Sequence, residues 1–234
     1  MRVGTPGFVG ERLKEGREAR GLTAVTLADL AEVKPASISQ YERGLQSPSP
    51  EALQRLSDSL NLPAAFFLKQ RLHEETGTVF YRSMSAATKK ARKRAERRYE
   101  WLRDIVELIG HYVHLPVGDF PSLSIPDSPE AIEQHLIEDA ATKLRRHWSL
   151  GDGPVSNIAW LLESKGVVVS RCELGAATLD AFSEWRAGGS SPYVILGRGK
   201  DSAVRSRYDA GHELGHLVLH SGLQKSCLVA STEF

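Results

Sequence analysis

Of the 234 residues in this chain, the stretch His212-Glu213-Leu214-Gly215-His216 constrains the fold most tightly. Side chains four residues apart share one face of a helix, about one turn from each other. The flanking residues predict that helix. Ser202 is a suitable N-cap, and Ala203, Val204, Tyr208, Ala210, Leu214, Leu217, Val218 and Leu219 form a broad apolar stripe. Ser221-Gly222 supplies a stop signal. The expectation is a buried helix that carries His212 and His216 inward. Their ring nitrogens can then converge on one Zn²⁺, with Glu213 placed to take a proton from a water activated by that ion. The competing reading is two helical histidines satisfied by hydrogen bonds alone.

Size and charge leave room for more than this helix. The length suffices for two small domains with cores of their own. A net charge of +1 with 25% charged residues is ordinary for a soluble protein, and predicts no membrane partner. The N-terminus lacks the apolar core of a signal peptide, and no apolar run reaches membrane length. Cys172 and Cys227 are far apart in sequence. They read as buried thiols in a reducing cytoplasm, with an approach of Cys227 to the metal as the minor alternative.

Residues 7–70 read as five short helices. Phe8, Leu13 and Ala19 space the first. Thr23 caps the second, whose inward residues are Leu27, Leu30 and Ala31. After a turn at Glu32-Val33-Lys34, Pro35 opens a third helix, where a missing N–H costs little; Ile38 and Tyr41 face inward. Ser47-Pro48-Ser49-Pro50-Glu51 opens a fourth, with Leu53, Leu56 and Leu60 inward. Pro63 opens a fifth, with Phe66, Phe67 and Leu68.

The ordered run Gly21-Leu22-Thr23, Leu27-Ala28, Val33, Ser37-Ile38-Ser39, Tyr41-Glu42-Arg43-Gly44, Pro48-Ser49-Pro50-Glu51 and Leu53 resembles the XRE (lambda-repressor-like) helix-turn-helix family over about the first 70 residues. The resemblance implies that the third helix enters the major groove of double-stranded operator DNA. Lys34, Ala36, Ser37, Gln40 and Arg43 then fall at DNA-binding positions. Gln40 can pair bidentately with adenine, and Arg43 meets a phosphate or pairs with Glu42. Ala24 stands where the family often has glutamine, which removes one contact. A homodimer is the usual way to strengthen one such unit, and a protein-interaction module is the alternative use of the bundle.

Residues 89–103 hold eight basic and two acidic side chains, a local +6. The segment reads as a helix to about His114, with Ala95, Tyr99, Leu102, Val106, Ile109 and Val113 in steps of four and three. A solvated face, a phosphate-contacting helix and a dimerisation stripe are all compatible with it. Thr78-Val79-Phe80-Tyr81-Arg82 ahead of it reads as a short strand or extended linker.

Pro116, Pro121, Pro126 and Pro129 mark a boundary. Beyond it, Glu130–Trp148 reads as a helix with Ala131, His135, Ala140, Ala141, Leu144 and Trp148 inward, and Pro154–Ser164 as another with Ile158, Leu161 and Leu162 inward. Val167–Ser170 and Leu179–Trp185 read as strands. Tyr193–Leu196 follows as a third, paired with the second in a hairpin turned at Gly188-Gly189. The fold class is therefore mainly α with a small α+β domain. It comprises a helix-turn-helix bundle at 7–72, a linker strand and basic amphipathic helix at 78–115, and the α+β domain at 128–234.

The order Gly166-Val167-Val168-Val169, Leu179-Asp180, Phe182-Ser183, Pro192-Tyr193-Val194-Ile195, Arg205, Arg207-Tyr208 and His212-Glu213-Leu214-Gly215-His216-Leu217 with His220 resembles the ImmA/IrrE metallopeptidase-like family over residues 130–234. By that resemblance, His212 and His216 bind zinc and Glu213 is catalytic. The third ligand is an acidic residue on a later helix. Glu233 is the acidic side chain available downstream, and the family's next helix is not visible in the sequence, so the chain reads as a truncated form. His220 drifts off the metal direction and reads as a supporting residue. Tyr208 and Arg207 could stabilise an oxyanion or serve packing and ion pairing. Asp180 and Glu184 could support the site. Together the two resemblances imply a cytoplasmic, sequence-specific transcriptional regulator linked to stress, phage or mobile-element control, or metabolic sensing. Its C-terminal domain binds zinc as a sensor or regulatory domain. The alternatives are an active zinc metallopeptidase that cleaves a partner repressor or itself, and an antitoxin or phage-type repressor.

Overall fold

The computed structural model describes residues 4–71, 88–126, 128, 131–174, 180–185, 191–198 and 202–220. The chain divides into two compact units. The first comprises residues 1–77 and 87–108; the second comprises residues 78–86 and 109–234. The expected strand at 78–82, the turn at Gly188-Gly189, the stop at Ser221-Gly222, and Cys227 and Glu233 all lie outside the described residues.

In the first unit, α1 (Gly10–Ala19), α2 (Ala24–Leu30), α3 (Pro35–Glu42) and α4 (Pro50–Leu60) are followed by a 3₁₀ turn at Ala64–Leu68. The expected fifth helix is thus one tight turn. Pro63 extends the chain into it, and Phe67 alone of its residues is fully buried. Local chemistry sets the helix starts. The Thr23 side chain accepts from the Thr26 N–H at 3.0 Å, and Ser49 accepts from the Ala52 N–H at 3.3 Å. Pro35 occupies the first turn of α3. Leu13, Leu27, Ala31, Ile38, Leu53, Leu56, Leu60 and Phe67 fill the core. Leu30 departs from expectation and faces outward, because Leu27, Ala28 and Ala31 already occupy the inner arc of α2. At Gly10 a Cβ would overlap the Tyr41 carbonyl, so glycine lets α1 begin against the end of α3.

Helix α5 (Lys89–Gly110) carries the basic run. Ala91, Ala95 and Tyr99 are buried, as are the charged residues Arg97 and Arg103. Arg97 donates to Glu18 of α1 at 2.8 Å and to Glu100 at 2.9 Å. Arg71 pairs with Glu15 at 3.1 Å and with Glu100 at 3.0 Å. The Trp101 indole donates to Glu15 at 2.6 Å, and the Arg98 guanidinium donates to the Ala19 carbonyl at 3.2 Å. Arg97 and Arg103 are thus not part of a solvated basic face, whereas Lys89 and Lys90 at the start of the helix are exposed. Arg97 meets an α1 carboxylate and Arg98 a carbonyl at the end of α1. The helix ends four residues before His114, and Ile105, Leu108 and Ile109 near its end are exposed.

The second unit contains α6 (Gln134–His147), α7 (Ile158–Ser164), β1 (Val168–Cys172), β2 (Ala181–Glu184), β3 (Tyr193–Gly197) and α8 (Ala203–Leu219). The fold is mainly α with a small α+β region. Strand order is β1-β3-β2: β3 pairs antiparallel with β2 and parallel with β1. Phe182 lies opposite Ile195, and Val169 opposite Val194. Helix α7 starts later than the expected Pro154, because the Asn157 side chain caps it by accepting from the Trp160 N–H at 3.1 Å. Ala140, Leu144 and Trp148 of the α6 segment pack with Leu162, Val194, Leu196, Ala210 and Leu217. Ala131, His135 and Ala141, expected inward, are exposed. At Gly166, φ is +77° and a Cβ would overlap the Val117 carbonyl, so the turn into the sheet admits only glycine without rearrangement.

Candidate functional site

Two constellations emerge, one in each unit. In the first, Ile38 points into the core, and this fixes which face of α3 is free. Successive helical residues turn about 100°, so Ala36, Gln40 and Arg43 project from the side opposite Ile38, with Ser37 beside them. Lys34, Ala36 and Arg43 are exposed, and Ser37 and Gln40 are half-buried. Glu42 does not pair with Arg43. Its carboxylate accepts from Arg17 of α1 at 2.5 and 2.9 Å, and Arg43 instead donates to the Ser39 carbonyl at 3.1 Å. The Arg17–Glu42 pair thus clamps the end of α3 to α1 and leaves the outward face to other partners.

In the second unit, Ser202 caps α8 by accepting from the Arg205 N–H at 3.3 Å. Ser206, Ala210, Glu213, Leu217 and Val218 form the buried face. Val204 and Tyr208, expected inward, are 79% and 69% exposed. The first turns of the helix stand proud of the core, and the apolar stripe is narrower than its composition suggests.

His212 and His216 come together as their spacing predicts. Their Nε2 atoms lie 3.1 Å apart, and the rings meet edge-on at 4.6 Å between centroids. Two Zn–N bonds of about 2.0–2.1 Å at a tetrahedral angle put their nitrogens about 3.3 Å apart, so the separation suits two ligands of one zinc ion as well as a direct hydrogen bond between the rings. The Nδ1 of His216 lies 3.0 Å from Nδ1 of His220. One of these nitrogens must donate and the other accept, which fixes the tautomer of both rings when His216 offers Nε2 to a cation. Tyr208 stacks on His212, with centroids 6.3 Å apart and an interplanar angle of 18°. Among the described residues, no group of three or more His, Cys, Asp or Glu side chains is arranged to hold a metal.

Glu213 is only 2% exposed. The Ser183 hydroxyl of β2 donates to its Oε2 at 2.6 Å. Burial pushes the Glu213 carboxyl up to about 7 from its ordinary 4.5; the Ser183 hydrogen bond opposes this, and the nearby charge of Asp209 adds to it. Such a group exchanges a proton near neutral pH. Asp180 accepts from Arg205 at 2.7 Å, which ties the start of β2 to the start of α8. Arg207 donates to the carbonyls of Ser156, at 3.0 Å, and Val155, so it braces a loop and does not face the histidines. The contact that residue-by-residue reading misses is Ser183. Its signal is a polar residue inside a buried strand segment, with all of Ala181, Phe182 and Ser183 inaccessible.

Comparison with known proteins agrees with this division. The helix-turn-helix family model matches residues 13–67, and that of the M78 peptidase family, described as an IrrE N-terminal-like domain, matches residues 162–234. Among solved structures, the restriction-modification controller protein C.AhdI from Aeromonas hydrophila is 31% identical, covers 25% of this chain and 88% of its own, and has a TM-score of 0.24. The SinR protein/SinI protein complex is 25% identical, covers 41% and 98%, and has a TM-score of 0.26. No curated protein matches the chain. Among the described residues, no helix is long and apolar enough to cross a membrane.

Proposed function

Because residues 13–67 are a helix-turn-helix domain and residues 162–234 an IrrE N-terminal-like domain, we propose that this chain is a sequence-specific DNA-binding regulator whose C-terminal domain is a metal-dependent sensor or regulatory domain. The observation that carries the reading is the outward face of α3, which presents Ala36, Gln40 and Arg43 while Ile38 and the Arg17–Glu42 pair anchor its other side. Gln40 supplies the donor and acceptor pair that matches adenine in the major groove. Lys34 and Arg43 supply phosphate contacts, and Ser37 and Ala36 lie close enough to bases for polar and methyl contact. Two copies bound as a homodimer would read half-sites about 34–36 Å apart. The natural setting is the cytoplasm, where operator DNA is reached directly. The test is selection of binding sites from random duplexes by the purified chain, followed by Gln40→Ala and Lys89→Ala. Gln40→Ala should flatten the selected motif more than Lys89→Ala does. Binding with no preference over random DNA rules the reading out.

A second reading rests on the His212–His216 geometry: a zinc metallopeptidase acting on a partner repressor or on the chain itself. His212 and His216 would hold the ion, with Glu233 as the proposed third ligand. When bound, zinc supplies a Lewis acid that polarises a carbonyl and acidifies water. Glu213 takes the proton on its carboxylate and returns it to the leaving amine, while Ser183 holds that carboxylate in place. His220 orients His216. Incubation of candidate repressors with wild type and Glu213→Gln, with and without chelator, separates the readings. Fragments that form equally with both proteins remove the peptidase reading and leave the regulator intact.

A further inference from the structure

A cavity of about 400 Å³ opens on the flank of α8 away from the histidines. Its wall includes Ile158 of α7, Arg171 of β1, Leu196 of β3, and Val204, Ser206 and Arg207 of α8. Ala210 also lines it; Ala210 and His212 project about 160° apart around the helix, so the cavity and the histidine pair are separate sites. The floor belongs to the core, with Leu196 and Ala210 fully or almost fully buried. The cavity falls in the size range of small-molecule sites, which combine apolar walls with a few fixed polar groups.

The chemistry of the wall is one-sided. Among the described residues it holds two arginines and no carboxylate. Arg207 is fixed by the carbonyls of Val155 and Ser156, so its charge is held in place. Arg171 projects from the edge strand β1 and is exposed. Ser206 is nine-tenths buried, and among the described residues its hydroxyl has no hydrogen-bond partner, although a helical serine ordinarily bonds back to the preceding turn. Preset positive charge, an unsatisfied hydroxyl and an apolar floor all select the same type of guest.

We propose that this cavity binds a small organic anion with a compact apolar body, either a carboxylate or a phosphate ester. The anionic head sits against Arg171 and Arg207, and the apolar part lies on Leu196, Ile158 and Ala210. The Ser206 hydroxyl donates to the bound molecule. The site depends on neither the DNA-reading face nor the metal pair.

The test uses the full chain and saturation-transfer NMR with three probes: hexanoate, phenyl phosphate and the uncharged hexanamide. At least one anion should bind saturably, and hexanamide about tenfold more weakly or not at all. Which anion binds better identifies the head group. Arg171→Gln should weaken binding about tenfold, and Ser206→Ala should weaken it without lowering the melting temperature. Val204→Trp, at an exposed rim position, should close the mouth and abolish binding while leaving the core intact. Arg207 is left unchanged because it also braces the 155–156 loop. The proposal is overturned if neither anion saturates, if hexanamide binds as tightly as the anions, or if both Arg171→Gln and Val204→Trp bind as wild type does.

Discussion

The Ser183 hydroxyl donates to the Glu213 carboxylate at 2.6 Å, joining the third residue of β2 to the acidic residue between the two histidines of α8. A buried carboxyl held by a hydroxyl from another element is both a packing contact and an electrostatic one. Ser183→Ala should therefore destabilise the second unit by about 1–3 kcal/mol, the usual cost of leaving a buried polar group unpaired. Chemical denaturation of wild type and variant measures it. An unchanged midpoint would show that the carboxyl finds another partner.

The raised Glu213 carboxyl has a consequence for stability against pH. In the metal-free protein, the folded state keeps this proton up to about 7, whereas the unfolded chain releases it near 4.5. Stability linked to the group is complete below about 4.5 and is lost as pH rises through 7, an effect of about 3 kcal/mol from the size of the shift. Urea unfolding of chelator-treated protein at pH 5 and 8 should show the difference, and Glu213→Gln should remove most of it. Wild type equally stable at both values would contradict the burial argument.

Zinc uptake should depend on the two converging imidazoles. His212→Ala and His216→Ala should each reduce bound zinc to below stoichiometric levels by elemental analysis. His220→Ala, which removes the partner that orients His216, should weaken affinity by about 10–100-fold while keeping the site. Stoichiometric zinc in His212→Ala would mean that the ion sits elsewhere.

Arg97 is, with Glu15, among the most buried charges in the described part of the first unit, 2% exposed and paired with Glu18 and Glu100. Replacing it with alanine leaves the buried end of Glu18 without its cation and Glu100 with Arg71 alone, at a cost of about 3 kcal/mol. The expected readout is a lower melting temperature for the first unit. Arg92→Ala, at a half-buried basic position without that pair of acids, should change little.

The composition of α5 reveals its charge but not where the charge goes. Eight basic residues look the same in sequence whether they face water, DNA or protein. The decision comes from Glu15 and Glu18, about eighty residues away, which meet Arg97 and Trp101 only after α1 and α5 pack. The same holds for Val204 and Tyr208. They fit an apolar helical period, but whether that face is covered depends on where the sheet and α7 end.

By itself the sequence determined what lies within one helical turn. The Thr23 and Ser49 caps, Pro35 at the head of α3, and the four-residue spacing that brings His212 and His216 together all act through neighbouring residues. Tertiary structure alone decided that β3 inserts between β1 and β2, that Glu213 is buried against Ser183, that Glu42 is claimed by Arg17, and that a cavity flanked by arginines opens behind α8. Periodicity and capping are short-range properties of the chain. Pairing and burial arise only when distant segments compete for the same interior, and no local pattern records which of them prevails.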